Sequence, residues 1–275
     1  MGSTTRQIVP KIGQLTNDAQ SIAQISQQIV EILRPSRGPP HHTAVYISLC
    51  SSLAKTIILQ AETEVIAKKV SAGPLAQVAF NLLDALDTFP AIFFIKLVQR
   101  CGGWAIPIVL PKEDVTGQPW SSREEFAKIS GWRKTTAGGE GLESNEDHSN
   151  RISAIMRVYF QILKIRPMNK PLDSPFRVSK YWAWFARMLN DPELLKAALA
   201  PDLIYTALDV MGLQAKDIWG QQWVKMLVLI HQGITTGYEN GLLMGGDSAE
   251  GAAARTRVMV ALENIVKGVQ SDDSY

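Results

Sequence analysis

Six basic side chains in the first half of the chain stand on or beside segments with the pattern of packed helices. Lysine and arginine can bind a phosphate-rich anion when the fold brings several of them together. The whole chain has a formal net charge of only +2, from 28 basic and 26 acidic residues. Because a nucleic-acid coat needs a general basic field, this balance favours a local pocket for one polyanion. The candidate residues are Lys11, Lys55, Lys96, Arg100, Arg133 and Lys134.

The residues alone leave a second interpretation open for these cations. Lys96 and Arg100 are four positions apart, share a helix face and repel each other mildly unless an anion lies between them. Two solvated charges would give the same pattern. Lys55 is flanked by apolar residues, and a lysine at such a position often lays its stem on the core with its ammonium in water. Arg133 and Lys134 follow Trp132 in an irregular segment, where basic pairs are usually solvated.

Residue types that carry enzymatic chemistry lack the necessary spacing. Glu62 and Glu64 are two apart, so they do not face each other on a helix and cannot form a catalytic dyad. The four histidines and two cysteines have no metal-ligand spacing. The sequence has no glycine-rich phosphate loop and no nucleophile elbow. We therefore expect neither a metal site nor an enzyme. Cys50 and Cys101 lie in apolar helical patterns, which predicts buried, reduced thiols and a cytosolic or nuclear compartment.

The elements that must position the cations are helices. Apolar residues recur at spacings of three, four and seven along most of the chain, and 46% of its residues are hydrophobic, enough for a sizeable core. The pattern predicts an all-α, HEAT-repeat-like helical array. The expected helices are 12–33, 43–67, 74–86, 90–101, 151–165, one from Ser174-Pro175, one from 192, and 201–213, 216–231 and 252–269.

The remaining segments are expected to be irregular. Residues 104–149 form a long insertion punctuated by proline and glycine, with a flexible loop at 138–141 and a short extended segment at 106–110. Residues 241–251 are expected as a second loop. Residues 1–9 are expected as an expression-tag remnant and N-terminal tail, followed by a single α-helical domain over 10–275. We see no signal peptide, and the apolar stretches are expected to be too short or too interrupted to span a bilayer.

Several strings, in order along nearly the whole chain, resemble the C-terminal domain of the nuclear-pore mRNA-export mediator of the GLFG-lethal (Gle-one) family, fungal type. The most specific is Gln-Ala-Glu-Thr-Glu-Val at 60–65. The other strings lie at 10–16, 54–57, 98–101, 131–133 and 223–230.

The resemblance implies a helical fold similar to HEAT repeats and to the middle domain of the translation-initiation scaffold (MIF-four-G-like). It implies binding to a DEAD-box RNA helicase at the cytoplasmic face of the nuclear pore, and stimulation of the helicase ATPase. Inositol hexakisphosphate is expected to bridge the two proteins through the basic residues named above. An FG-type nucleoporin is expected as a second partner, with no sequence-specific nucleic acid and no membrane insertion. The expected location is the nucleus and cytoplasm.

This sequence departs from the family pattern at two positions of the expected pocket. Gln99 and Leu59 stand where fungal relatives have basic residues, which affects the strength of inositol-phosphate binding and not the fold. Two other functions stay open at this point. A phosphoinositide-reading membrane adaptor would bind liposomes, and a passive helical scaffold would bind no polyphosphate at physiological salt.

Overall fold

The structure is a computed structural model that describes residues 2–37, 39–134, 141–167, 170–238 and 241–269. Within these ranges all regular elements are helices, and pairing between extended segments is limited to two isolated bridges, Glu113 with Pro119 and Lys134 with Leu142. The all-α prediction is confirmed. The helices are α1 (Gly2–Gly13), α2 (Ala19–Leu33), α3 (Thr43–Gln60), α4 (Ala72–Ala85), α5 (Phe89–Cys101), α6 (Arg123–Ile129), α7 (Asn145–Lys164), α8 (Ser179–Asn190), α9 (Pro192–Lys196), α10 (Leu199–Trp219), α11 (Gln221–Thr235) and α12 (Ala249–Lys267).

The helices pack mainly against the second or third helix along the chain, which produces two layers. One layer consists of α1, α3 and α5, each in contact with the next. The other layer runs from α2 through α4, α7 and α10 to α12. Contacts of α7 with α5 and with the turn after α3 join the layers. This alternation is the arrangement of helical-repeat proteins, in which successive helix pairs stack.

The N-terminal region differs from the expectation. Residues 2–9, predicted as a tag remnant and tail, lie in α1, and Ile8 is fully buried in the core. The helix predicted over 12–33 is broken between α1 and α2. Asp18 accepts a hydrogen bond from the Ser21 amide as an N-cap, which starts a new helix at Ala19.

The segment from Thr43 to Val65 is the central helix of its layer. It consists of α3 and a π-helical turn, Ala61–Val65, that continues it. By length and composition it is the one helix in the described residues that could cross a membrane, which corrects the expectation that every apolar stretch is too short. However, Leu53, Ile57 and Ile58 pack into the core, as in a central helix of a globular fold.

The insertion expected over 104–149 is more ordered than its sequence suggested. It contains α6, which Ser122 caps by accepting a hydrogen bond from the Glu125 amide. It also contains the start of α7, which begins six residues before the predicted position because Ser144 caps it. Ile106–Leu110 forms no strand. Most of the predicted flexible loop at 138–141 lies outside the described residues.

Other boundaries moved by a few residues. The break predicted between 213 and 216 lies instead at Gly220, where φ is +51°. The helix expected from Ser174-Pro175 starts at Ser179, and α12 starts at Ala249, inside the predicted loop. Asp191 accepts hydrogen bonds from the amides of Glu193 and Leu194 at the start of α9, as predicted.

Both cysteines are free and fully buried, as the sequence predicted. Burial raises the pKa of the Cys50 and Cys101 thiols, because a thiolate is poorly solvated in the core. We expect neither thiol to react with a thiol-specific reagent at pH 8 in the folded chain, and both to react after unfolding in urea. Mass spectrometry of the labelled protein would count them. Labelling of either thiol in the folded protein, as fast as in urea, would contradict this burial.

Candidate functional site

A buried carboxylate lies at the centre of the basic region. Glu62 belongs to the π-helical turn after α3, and only 2% of its side chain is exposed. Turns of this kind carry an extra residue and recur at functional sites. A carboxylate removed from water in this way must be matched by cations and hydrogen bonds.

Three arginines from separate parts of the chain provide that match. Arg100, in the last turn of α5, places Nε 2.9 Å from Glu62 Oε1 and donates from Nη2 to Oε2 at 3.0 Å. Arg133, from the segment after α6, donates to Oε2. Arg151, from α7, lies 3.6 Å from Oε1. Glu62 thus connects three elements that are distant in sequence.

Arg151 fixes the backbone around this carboxylate. Its guanidinium donates to the carbonyl oxygens of Gly131, at 2.6 Å, and Arg100, at 3.3 Å. It also forms an ion pair with Glu143, whose carboxylate accepts from the Arg133 amide at 3.0 Å. Arg151 is therefore buried as a connector, whereas Arg100 and Arg133 remain about one-third exposed (32% and 35%).

An aromatic stack holds the segment that carries Arg133. The rings of Trp132 and His148 are parallel with centroids 3.9 Å apart. His148 Nδ1 lies 3.0 Å from Glu143 Oε1. Because His148 is on α7, the stack anchors the irregular segment to the second layer, immediately beside Arg133.

The two carboxyl groups have different electrostatic environments. Burial raises the pKa of Glu62 above its ordinary value, and the charges of Arg100 and Arg151 oppose that rise. Burial also acts to raise the pKa of Glu143, but hydrogen bonds from His148 and Arg151 outweigh it, so this pKa is lowered. With both carboxylates ionised, three guanidiniums face two negative charges, and the cluster keeps an excess of positive charge.

Two of the six predicted cations, Arg100 and Arg133, meet on Glu62, and helix geometry relates two more, Lys55 and Lys96, to this point. Lys55 lies seven residues before Glu62, so the two share a face of the α3 helix, about 10 Å apart along its axis. Lys96 precedes Arg100 by one turn on α5, about 6 Å along that axis. Glu62 and Arg100 meet at the carboxyl ends of α3 and α5, so these neighbouring helices run in the same direction. Lys55 and Lys96 therefore lie at similar heights on adjacent helices. We call Lys55, Lys96, Arg100 and Arg133 the basic patch.

The other two predicted cations have partners of their own. Lys11, on α1 of the same layer, donates to Gln28 of α2. Lys134 forms an exposed ion pair with Glu124 of α6 at 2.8 Å. In the part of the chain that the structure describes, no side-chain hydrogen bond or ion pair joins either residue to the basic patch. Lys55 is exposed, and Lys96 donates to Gln99 at 3.0 Å.

The residues beneath the patch carry no sequence motif. Glu62 has no dyad partner by spacing, and the sequence pattern does not mark Arg151, Glu143 or His148 as site residues. One signal was available, since a glutamate seven residues after Lys55 in an apolar helix must find a cation if it is buried. Among the described residues, no group of three or more histidine, cysteine, aspartate or glutamate side chains could hold a metal ion.

The fold and this site define an all-α domain with two partly exposed arginines over a buried carboxylate. The chain belongs to the GLE1-like protein family, whose model matches residues 1–231. It is 25% identical over 258 residues to the mRNA export factor GLE1 of Saccharomyces cerevisiae, covering 93% of this chain and 44% of that protein. It is 27% identical over 231 residues to the mRNA export factor gle1 of Schizosaccharomyces pombe, covering 81% and 44%. The chain thus spans less than half the length of these relatives.

Solved structures share the fold. One is titled as the S. cerevisiae Dbp5 L327V C-terminal domain bound to Gle1 and IP6, and a second contains Gle1 H337R in the same assembly. The TM-scores are 0.77 and 0.79, at 23% and 24% sequence identity. Each match covers 98% of this chain and 84% of the matched chain. At this identity the likeness establishes the architecture, and the family resemblance seen in the sequence is confirmed by the family match.

The position of Arg133 depends on a close backbone approach between Gly131 and the end of α5. Gly131 has φ of +87°, and a Cβ there would lie 2.9 Å from the Cys101 carbonyl carbon and 3.0 Å from the Arg100 oxygen. We expect Gly131→Ala to lower the free energy of unfolding by about 3 kcal/mol or more, since about 1–2 kcal/mol of φ strain adds to main-chain overlap. Urea denaturation followed by circular dichroism would measure this change.

Gly117 provides the matched control, because its φ is +77° but a Cβ there would have no neighbour within 4 Å. Gly117→Ala should cost only the φ strain, about 1–2 kcal/mol. Equal losses for the two variants would show that the approach of residue 131 to α5 is not tight.

Proposed function

We propose that this chain is the part of an mRNA-export factor that binds a DEAD-box RNA helicase, with inositol hexakisphosphate bridging the two proteins. It acts as an activator of the helicase ATPase and carries out no chemistry itself. Membership of the GLE1-like family supports this proposal. So does the shared fold with chains of the assemblies titled with Dbp5, Gle1 and IP6.

The observation that supports the proposal is the meeting of Arg100 and Arg133 on Glu62, next to helices that also carry Lys55 and Lys96. Lys55, Lys96 and Arg100 come from the adjacent helices α3 and α5, and Arg133 joins Arg100 over Glu62. Lys11, one helix further along the layer, and Lys134, beside Arg133, could extend the site by exchanging their present partners for phosphate.

The chemistry of the ligand explains why two proteins would share it. Inositol hexakisphosphate has about twelve ionisable oxygens, more than four to six cations on one surface can neutralise. Cations from the helicase would face the remaining phosphates, so the ligand would join surfaces that otherwise repel each other. If the ligand-bridged complex favours the arrangement in which the two helicase lobes are separated, the population of that arrangement rises. RNA or product would then be released more readily.

The two departures from the family pattern lie within or beside the basic patch. Leu59 falls between Lys55 and Glu62 on the same side of α3, with 37% of its surface exposed. Gln99 accepts the hydrogen bond from Lys96 instead of adding a charge. We infer that the chain alone binds the polyphosphate less tightly than a relative with two more cations, and that the helicase contributes a larger share of the binding.

We also propose the finer assignments that the resemblance implied. The chain would act at the cytoplasmic face of the nuclear pore, with an FG-type nucleoporin as a second partner. Exposed apolar side chains on α11, namely Val224, Val228 and Leu229, support an apolar docking surface in the second half of the chain.

A hydrophobic cluster that includes residues from Ile8 to Ile265 supports a single domain over residues 10–275.

Isothermal titration calorimetry tests the bridging ligand. Inositol hexakisphosphate would be titrated into the chain, with and without a DEAD-box export helicase, at about 150 mM salt. We expect binding that strengthens when the helicase is present. Lys55→Gln with Lys96→Gln should weaken it by roughly tenfold per lysine, because each removes a charge-assisted hydrogen bond.

The charge-matched control removes two exposed lysines from the other end of the chain, Lys225→Gln with Lys267→Gln. This control should bind as the unmodified chain does. Undiminished binding by the Lys55 and Lys96 variant, or an equal loss in the control, would rule out the basic patch as the site. Absence of binding in every condition would favour a passive scaffold.

A further inference from the structure

We propose that Glu62 is a positioning residue for the polyphosphate site, which holds the guanidiniums of Arg100 and Arg133 side by side at the surface. This inference rests on the proposed function. Glu62 itself would never touch the ligand, because its side chain is almost entirely buried beneath the two arginines.

The first support is the difference in exposure across the ion pairs. The Glu62 side chain is 2% exposed, whereas Arg100 and Arg133 are 32% and 35% exposed. Part of each arginine side chain therefore stays at the surface while its guanidinium contacts the carboxylate. A guanidinium has five N–H donors, and each arginine donates one hydrogen bond to Glu62 Oε2. The remaining donors can serve phosphate oxygens.

The second support is the repulsion that Glu62 removes. Arg100 and Arg133 belong to different elements and meet on one carboxylate, so without it two like charges would lie close together with little compensation. Arginine has several rotatable bonds, and the two side chains would separate into solvent. A ligand would then have to order them again on binding, which lowers affinity.

The third support is the rigidity of Glu62 and its surroundings. Arg151 fixes the carbonyl groups of Gly131 and Arg100, so the two segments that carry the surface arginines have a set separation. The Arg133 amide donates to Glu143, and Trp132 stacks on His148. A buried network of this kind holds its side chains in one geometry, which a surface ion pair does not do.

Positioning by Glu62 predicts a change in ligand affinity opposite in sign to the change expected from Coulomb attraction alone. Replacing Glu62 by glutamine removes a negative charge near an anion site, which by Coulomb attraction alone would strengthen binding. If Glu62 orders the arginines, Glu62→Gln instead weakens the binding of inositol hexakisphosphate, and we expect about a tenfold loss. Calorimetric titration of the full 275-residue chain would measure it, with circular dichroism to verify the helical content.

Two further variants separate positioning from loss of stability. Glu62→Asp keeps the buried charge, so it should fold, but its shorter side chain draws the carboxylate away from Arg133 and should weaken binding several-fold. Asp209→Asn disrupts a comparable buried ion pair, with Arg157, between α7 and α10 and away from the basic patch. It should lower the stability without changing the affinity.

A double-mutant cycle with Arg133→Gln tests whether Glu62 acts through the arginines. Positioning predicts that Glu62→Gln causes a smaller loss in the Arg133→Gln background than in the unmodified chain, because only Arg100 is then left for Glu62 to hold. Equal or tighter binding by Glu62→Gln and by Glu62→Asp would overturn the inference, as would losses that multiply fully in the cycle.

If Lys55→Gln with Lys96→Gln also leaves binding intact, the proposed function fails. If that variant weakens binding and the Glu62 variants do not, only the present inference fails.

Discussion

The ion cluster at Glu62 is the interaction on which the organisation of the first half of the molecule depends. A carboxylate buried this deeply is stable only when cations surround it, and those cations come from α5, from the segment after α6 and from α7. The cluster therefore joins the two helical layers at the same point where the basic patch reaches the surface. The structural role and the proposed binding role fall on the same side chains, Arg100 and Arg133.

Hydrophobic packing determines the rest of the architecture. It also restricts the positions of the backbone segments that carry the side chains of the ion cluster. The α1–α3–α5 layer and the α2–α4–α7–α10–α12 layer bury a common core. Within it, Gly131 and Gly102 allow the main chain of the insertion to approach the end of α5 closely. Side chains at these two positions would force the backbones apart, and Arg133 would then no longer reach Glu62. An irregular segment is thus held in place by glycine geometry on one side and by the Trp132–His148 stack on the other.

The proposed bridging function follows from an imbalance of charge on a nearly neutral chain. Most of the basic residues are offset by acidic ones, and the net charge is +2. The region around Glu62 differs because three arginines, Arg100, Arg133 and Arg151, surround the two buried carboxylates Glu62 and Glu143. A surface of this kind attracts a compact polyanion without attracting nucleic acid along the whole protein.

The sequence by itself determined the all-α class, most helix positions, the family and the identity of the basic residues, because helical periodicity and capping are local properties. It failed where local signals were weak, at the break between α1 and α2, at the helical residues 2–9 and at the order in the insertion. Only the tertiary structure decided which cations converge. Glu62 and Arg133 are 71 residues apart in the chain, and no local pattern records that they meet. The burial of Glu62, and with it the connecting role of Arg151, depends on how two layers pack, which side-chain spacing along one helix cannot specify.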